Sequence, residues 1–83
     1  MSPRCPLVLA LLDRGPRRAH EVARALGGDQ SAARVALARL ERAGLVRRRR
    51  FTGGVDYLLT ARGRRELRLQ RLLWASVVRG WSS

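Results

Sequence analysis

The spacing of the apolar residues changes at Gly44, and this change restricts the chain to few folds. Before Gly44, a segment that starts at Asp29 carries an apolar stripe with helical spacing, formed by Ala33, Ala36, Leu37 and Leu40. After Gly44, residues 45–59 alternate around Thr52-Gly53-Gly54, which predicts two strands joined by a glycine turn. The pattern favours a mainly α protein with a small β-hairpin, of the α+β class.

Two further helices are predicted before Asp29. The first follows Pro6, carries Leu7, Val8, Leu11 and Leu12 on one face, and ends before Gly15-Pro16. The second has the apolar stripe Ala19, Val22, Ala23 and Leu26 and ends at Gly27-Gly28. With Asp29 as its N-cap, the third helix runs from about Gln30 to Ala43. The short glycine turn between the second and third helices predicts a helix-turn-helix.

The length and charge of the chain indicate one domain with a polyanionic partner. Its 83 residues, 1–83, predict a single domain with a modest core. The formal net charge is +12, and all 18 basic residues are arginine, which forms planar forked contacts with phosphate. A GC-rich genome would also explain the exclusive use of arginine, but under either explanation the net charge favours nucleic acid or another anionic surface as the partner.

Several classes of function find no support in the sequence. Cys5 and His20 are the only residues of their types, so neither an internal disulfide nor a metal site is expected. The chain has no catalytic cluster and no phosphate-binding loop with a lysine, so we expect neither an enzyme nor a cofactor. No segment has the roughly 20 apolar residues of a membrane span, and no signal peptide is recognised. A cytoplasmic protein is therefore expected.

The order of the predicted elements is that of a winged helix-turn-helix, with a three-helix core, a hairpin wing and a C-terminal helix. Two phrases, ARLERAGLVRRRR and YLLTARGRREL, resemble the winged-helix repressors of the MarR and PadR type. The first contains Leu-x-x-x-Gly-Leu-Val, here residues 40–46, at the end of the recognition helix. The second contains Leu-Thr-x-x-Gly, here residues 59–63, after the wing. The resemblance covers roughly residues 7–70.

This resemblance implies a DNA-binding transcriptional regulator. The chain is shorter than full-length MarR-type proteins, in which additional helices build the dimer interface and a ligand pocket. PadR-like proteins, which dimerise through C-terminal helices, are the nearer comparison. The regulator implied here is a homodimer that represses by occupying an operator.

The third helix is the predicted reader of base edges. The face opposite its apolar stripe presents Gln30, Ser31, Arg34, Val35 and Ala38. Arg34 suits a bidentate contact with guanine and Gln30 one with adenine, while Val35 or Ala38 suits a thymine methyl group. An ordinary solvated helix face is the alternative interpretation.

The wing and its surroundings are predicted to contact the DNA backbone. Arg47 and Arg49 project from one face of the strand, and Arg48 and Arg50 project from the other. Thr52, Gly53 and Gly54 belong to the same predicted contact, since the glycines permit close approach to the DNA. The resemblance implies that one or two of the four arginines enter the minor groove. Further phosphate contacts are predicted for Arg17, Arg18, Arg39 and Arg42, with an ordinary solvent-facing position as the alternative for each. The alternative is a charged edge strand that prevents aggregation, but two arginines would be enough for that purpose.

The C-terminal helix, residues 61–81 with Thr60 as its cap, is predicted to form a homodimer contact. Its apolar residues exceed what one buried face can hold, and the predicted interface comprises Leu69, Leu73, Trp74, Val77, Val78 and Trp81. A dimer would place two recognition helices on the half-sites of a pseudo-palindrome. Packing of this helix against the first helix, in a monomer, is the alternative.

The sequence therefore predicts a dimeric winged-helix protein that binds double-stranded DNA. Two other functions stay open at this point. One is a protein-interaction subunit that docks through its tryptophans, and the other is a module that binds DNA or RNA without sequence preference. The operator, the regulated genes, the sign of regulation and any effector are not encoded in a recognisable pattern.

Overall fold

A computed structural model of the protein describes residues 5–82 and the side chains of residues 6–80. The elements in chain order are α1 (Cys5–Asp13), α2 (Ala19–Ala25), α3 (Gln30–Arg42), β1 (Val46–Phe51), β2 (Gly54–Leu59) and α4 (Ala61–Ser82). This order confirms the predicted fold class. The predicted domain, residues 1–83, includes Met1 to Arg4 and Ser83, which lie outside the described residues.

One apolar core joins the three-helix unit to the base of the hairpin and to α4. Its buried members are Val8, Leu9, Leu12, Val22, Ala23, Ala33, Ala36, Leu37, Leu40, Val46, Leu59 and Leu67. The predicted stripe of α3 is buried in full. At about 25 cal/mol per Å² of apolar surface, burial of these side chains is the main favourable contribution to folding.

The buried face of α1 differs from the predicted one. Leu9 is completely buried, whereas Leu7 is 49% exposed and Leu11 is only partly buried. Every residue from Leu7 to Leu12 is apolar, so the spacing alone fits several helical faces equally well. The choice is made by packing, since α1 contacts α3, β2 and α4.

The turn between α2 and α3 has the predicted construction. Gly27 and Gly28 both have positive φ, at 90° and 89°, a conformation that glycine adopts without a steric penalty. The backbone N–H of Gly28 donates to the Ala23 carbonyl oxygen at 2.7 Å, which closes α2. The side chain of Asp29 accepts a hydrogen bond from the Ala32 N–H at 3.0 Å and caps α3.

The two strands form an antiparallel hairpin whose turn is shorter than predicted. Phe51 pairs with Gly54, so only Thr52 and Gly53 lie between the strands, and Gly54 belongs to β2 rather than to the turn. The register then places Arg49 opposite Asp56 and Val46 opposite Leu59. A three-residue turn would have shifted every one of these pairs by one position.

A backbone bridge adds a third chain segment to the edge of the hairpin. Arg17 and Tyr57 exchange two hydrogen bonds, in which the Arg17 N–H donates at 3.0 Å and the Tyr57 N–H donates at 2.8 Å. Arg17 directly precedes Arg18, the N-cap of α2. The bridge therefore fixes the start of the helix-turn-helix against β2.

The two sequence phrases that resemble MarR and PadR proteins meet at one junction. Gly44 has φ 80° and ends α3, while the Leu45 N–H donates to the Leu40 carbonyl oxygen at 2.9 Å. The Thr60 hydroxyl donates to the Gly44 carbonyl oxygen at 2.7 Å and accepts from the Gly63 N–H at 3.0 Å. The N-cap of α4 is thereby bonded to the C-terminus of α3, which sets the direction of α4.

Helix α4 extends beyond the rest of the domain. Its 22 residues correspond to a length of about 33 Å, and the longest dimension of the molecule is 52 Å. The first half of α4 packs through Leu67, and Arg71 forms an ion pair with Asp13 of α1 at 3.6 Å. None of the helices within residues 5–82 has the length and hydropathy that crossing a membrane requires.

Candidate nucleic-acid interface

The outer face of α3 presents all five predicted base-reading residues to solvent. The exposed residues are Gln30, Ser31, Arg34, Val35 and Ala38. They lie opposite the buried stripe because positions three and four apart share one side of a helix. The face combines a guanidinium, an amide, a hydroxyl and two small apolar groups, a combination that matches base edges in a major groove.

The end of α3 connects this face to the hairpin. Arg39 and Arg42 are exposed in the last turn, where positive charge also complements the helix dipole. Glu41 lies 3.9 Å from Arg48 of β1, measured from Oε2 to Nε. The recognition face and the wing therefore belong to one connected surface.

Both faces of β1 carry positive charge. Val46 is buried, and every later residue of the strand is exposed. The register places Arg48 and Arg50 on the face that Val46 shares with Leu59, and Arg47 and Arg49 on the other face. The predicted distribution of charge over two faces is thus confirmed, although the four arginines do not have equivalent surroundings.

Arg49 differs from its neighbours because it forms a bidentate ion pair across the hairpin. Its Nε donates to Asp56 Oδ1 at 3.1 Å, and its Nη2 donates to Asp56 Oδ2 at 2.7 Å. This hydrogen-bonded contact, together with the charge of the carboxylate, raises the pKa of Arg49. The sequence reasoning missed Asp56, which a two-residue turn would have placed opposite Arg49.

Arg18 reaches from the start of α2 to the tip of the wing. Its guanidinium carbon lies 5.2 Å from the centroid of the Phe51 ring, within the range of a cation–π contact. A Cβ on Gly53 would lie 2.8 Å from the Phe51 ring and 3.1 Å from Arg18 Nη2. Glycine at this position thus allows the ring and the guanidinium to fold over the turn, a role for Phe51 that was not predicted.

Arg17 and Arg18 are neighbours in sequence but lie on different parts of the surface. Arg17 lines an open depression between α1 and α2, together with Leu11, Glu21 and Arg24. Its Nη1 donates to the Pro16 carbonyl oxygen at 3.3 Å. The Arg18 side chain therefore lies against the wing, whereas the Arg17 side chain lies beside α1 and α2.

A second exposed surface lies on the distal half of α4. Leu69, Leu73, Trp74, Val77 and Val78 are all exposed, as is Leu72, which was not among the predicted interface residues. Trp74 is 64% exposed and Leu73 is 68% exposed. The predicted contact at Trp81 lies outside the described side chains. Apolar residues this exposed and this close together are typical of an interaction surface.

The described side chains form no cluster of three His, Cys, Asp or Glu residues that would suit a metal ion. The interface instead offers guanidinium groups, backbone N–H groups at a glycine turn and an exposed helix face. Guanidinium and backbone N–H groups are hydrogen-bond donors of the kind that contact phosphate oxygens and base edges.

Comparisons with known proteins identify the same fold in transcriptional regulators. BldR from Sulfolobus solfataricus is 27% identical over 98% of this chain, with a TM-score of 0.86. A PadR family regulator from Clostridium difficile R20291 is 19% identical over 94% of this chain, with a TM-score of 0.82. BpsR from Bordetella bronchiseptica, whose DNA binding is regulated by 6-hydroxynicotinic acid, is 21% identical over 96% of this chain, with a TM-score of 0.82. The last two likenesses show the fold alone.

The matched length differs among these structures. The chain spans 60% of BldR, 60% of BpsR and 93% of the PadR family regulator. No curated protein sequence matches the chain significantly. A model described as the MarR family matches residues 1–54, which contain the helix-turn-helix and the first strand of the wing. The chain therefore belongs to the MarR family.

Proposed function

We propose that this protein binds specific sequences in double-stranded DNA as a homodimer and represses transcription by occupying an operator. The observation that carries the proposal is the connected surface formed by the exposed face of α3 and the arginines of β1. A sequence-reading face beside a strongly basic hairpin provides the two kinds of contact that specific DNA binding needs.

In this proposal α3 lies in the major groove. Arg34 and Gln30 read guanine and adenine, each good bidentate contact being worth about 1–3 kcal/mol of discrimination against the wrong base. Ser31, Val35 and Ala38 complete the contact face. All five residues are exposed, so the helix can dock without unpacking its core.

The wing and the segments beside it bind the DNA backbone. Arg18, Arg39 and Arg42 supply positive charge together with Arg47, Arg48 and Arg50 of β1, while the turn of Thr52 and Gly53, followed by Gly54, allows close approach. Arg17 would contribute only where the DNA passes beside α1 and α2. Phosphate contacts of this kind fix the position of the protein but carry no sequence information.

The distal half of α4 forms the contact between two copies of the chain. It carries Leu69, Leu73, Trp74, Val77 and Val78, with Trp81 included by sequence. Trp74 and Val78 continue the side of α4 that packs through Leu67, whereas Leu69 and Leu73 lie on other sides of the helix and widen the exposed apolar surface. A two-fold dimer places two α3 helices on half-sites about one helical turn apart, roughly 34–36 Å.

The direct test measures binding of the purified protein to its own upstream DNA and to a scrambled duplex of equal length. We expect both affinities to fall steeply between about 50 and 200 mM salt, by roughly 10³ to 10⁵ if six to ten phosphates are contacted. We also expect a preference for the upstream DNA that persists at the higher salt, with two chains per site. Equal binding to both duplexes at all salt concentrations would contradict specific operator binding and would favour a non-specific module.

A further inference from the structure

Asp56 is the only buried charged residue among residues 6–80, and its partner is one of the four arginines of β1. It is 7% exposed and lies directly opposite Arg49 in the hairpin register. Both of its carboxylate oxygens accept hydrogen bonds from Arg49, at 3.1 Å and 2.7 Å. The charge of Arg49 is therefore balanced within the wing itself.

This pair is difficult to break for a physical reason. A bidentate contact between a guanidinium and a carboxylate is among the strongest side-chain hydrogen-bonding arrangements. If Arg49 turned toward a phosphate, the Asp56 carboxylate would stay buried without a partner, which is strongly unfavourable. A phosphate must therefore compete with a preformed anionic partner.

The other three arginines of β1 meet no such competition. Among the described residues, Arg47 and Arg50 form no ion pair, and Arg48 has only the 3.9 Å contact with Glu41. The Arg48 and Glu41 side chains are 57% and 41% exposed. Exposed pairs with such a long contact contribute little and exchange readily with other anions.

We propose that Asp56 is a positioning residue that withdraws Arg49 from the DNA backbone and thereby limits the wing to three phosphate-binding arginines. The inference rests on the proposed DNA-binding function. Each arginine that replaces a counterion on a phosphate adds to the salt dependence of binding. Asp56 thus sets how strongly and how salt-sensitively the wing binds any DNA, independently of base sequence.

The experiment compares the salt dependence of binding to the scrambled duplex for the wild type and three variants. The slope of log K against log salt changes by about 0.9 for each phosphate that an arginine newly binds or no longer binds. Asp56→Asn releases Arg49, so its slope should steepen by about 0.9, which makes the affinity loss between 50 and 200 mM about 3.5-fold larger. The double variant Arg49→Gln with Asp56→Asn removes a neutral pair, and it should keep the wild-type slope.

Arg50→Gln is the matched control, because Arg50 lies beside Arg49 in the same strand and has no ion pair among the described residues. Its slope should become shallower by about 0.9. The inference is overturned if the slope of the double variant also becomes shallower by about 0.9, because Arg49 would then contact a phosphate in the wild type. An unchanged slope for a folded Asp56→Asn variant would also overturn it.

The design separates this inference from a purely structural role and from the proposed function. Thermal unfolding and circular dichroism establish that each variant is folded, and a structural role alone would change stability without changing the slope. If Asp56→Asn does not fold, the salt slope of the double variant still tests whether Arg49 contacts a phosphate. The double variant is expected to fold because its two neutral amide side chains can pair with each other. Absence of wild-type binding to any duplex would overturn the proposed function itself, whereas a wrong pattern of slopes overturns only the role of Asp56.

Discussion

Gly63 and Gly80 lie in the same helix, α4, but their surroundings differ completely. A Cβ at Gly63 would collide with the Leu45 carbonyl oxygen and lie 2.9 Å from the Leu59 side chain. A Cβ at Gly80 would have nothing within 4 Å. The absence of a side chain at Gly63 is therefore what allows α4 to approach the chain that leaves α3.

We predict that Gly63→Ala destabilises the protein by roughly 1–3 kcal/mol, because the added methyl group meets backbone that cannot move alone. Gly80→Ala is the matched control, and it should be neutral or stabilise by up to about 1 kcal/mol through helix propensity. Thermal or urea unfolding of the two variants measures the difference. Equal stabilities would show that the junction tolerates a side chain.

At the level of the elements, the sequence correctly predicted the helix ends that depend on a single residue type. The N-caps at Asp29 and Thr60 and the glycine end of α3 at Gly44 are confirmed, since each depends on a residue type at a fixed position. The buried face of α1 was predicted wrongly because six successive apolar residues contain no period. The turn of the hairpin was predicted one residue too long, and the pairing of Arg49 with Asp56 was missed for that reason.

In the candidate site, too, features set by local sequence were predicted and contacts between distant residues were not. The exposed face of α3 follows directly from the helical period, so the exposure of its five residues could be predicted from the sequence. The contact between Arg18 and Phe51 joins residues far apart in the chain, and no local pattern encodes it. The bridge between Arg17 and Tyr57 also joins residues far apart in the chain, and no local pattern encodes it either.

The N-terminus of α2 predicts a specific dependence of stability on pH. The Glu21 carboxylate accepts a hydrogen bond from the Arg18 backbone N–H at 2.9 Å, and this bond, assisted by the charges of Arg17, His20 and Arg18, lowers the pKa of Glu21. Because the folded state binds a proton at this carboxylate less readily than the unfolded state, the contribution is present above about pH 4.3 and is lost as pH falls further.

Glu21→Gln should therefore flatten the decrease in melting temperature below about pH 4.3, relative to the wild type. Thermal unfolding between pH 7 and pH 3 provides the comparison. The two proteins should differ most in stability at neutral pH and converge in acid. Parallel curves throughout this range would contradict a role for the Glu21 carboxylate in capping α2.

At the scale of the whole molecule, the proposed function assigns one surface to DNA and another to a second copy of the chain. The basic surface is formed by α3 and the wing, and the apolar surface lies on the distal half of α4. The junction of Gly44, Thr60 and Gly63 connects them, because it fixes the direction of α4 relative to the end of α3. A rigid junction would hold two recognition helices at a defined separation.

We predict that Leu73→Ser weakens self-association, since Leu73 is 68% exposed in the apolar surface. Val35→Ser is the matched control: Val35 is 50% exposed but lies on α3, so the variant should dimerise normally and bind DNA less tightly. Sedimentation equilibrium gives the oligomeric state of both. A wild-type protein that is monomeric at all concentrations tested would contradict the dimer. If Leu73→Ser and Val35→Ser change self-association equally, α4 does not form the interface.

Whether α3 reads bases is decided by selection of bound sequences from a randomised pool of DNA duplexes at about 150 mM salt. We predict that the wild type enriches a pseudo-palindromic sequence whose half-sites lie about 10 bp apart. Arg34→Ala should lose preference at one position in each half-site, while Arg50→Gln should enrich the same sequence with lower affinity. If the wild type enriches no sequence, or if both variants change its preference alike, then α3 does not read bases and specific operator binding is contradicted.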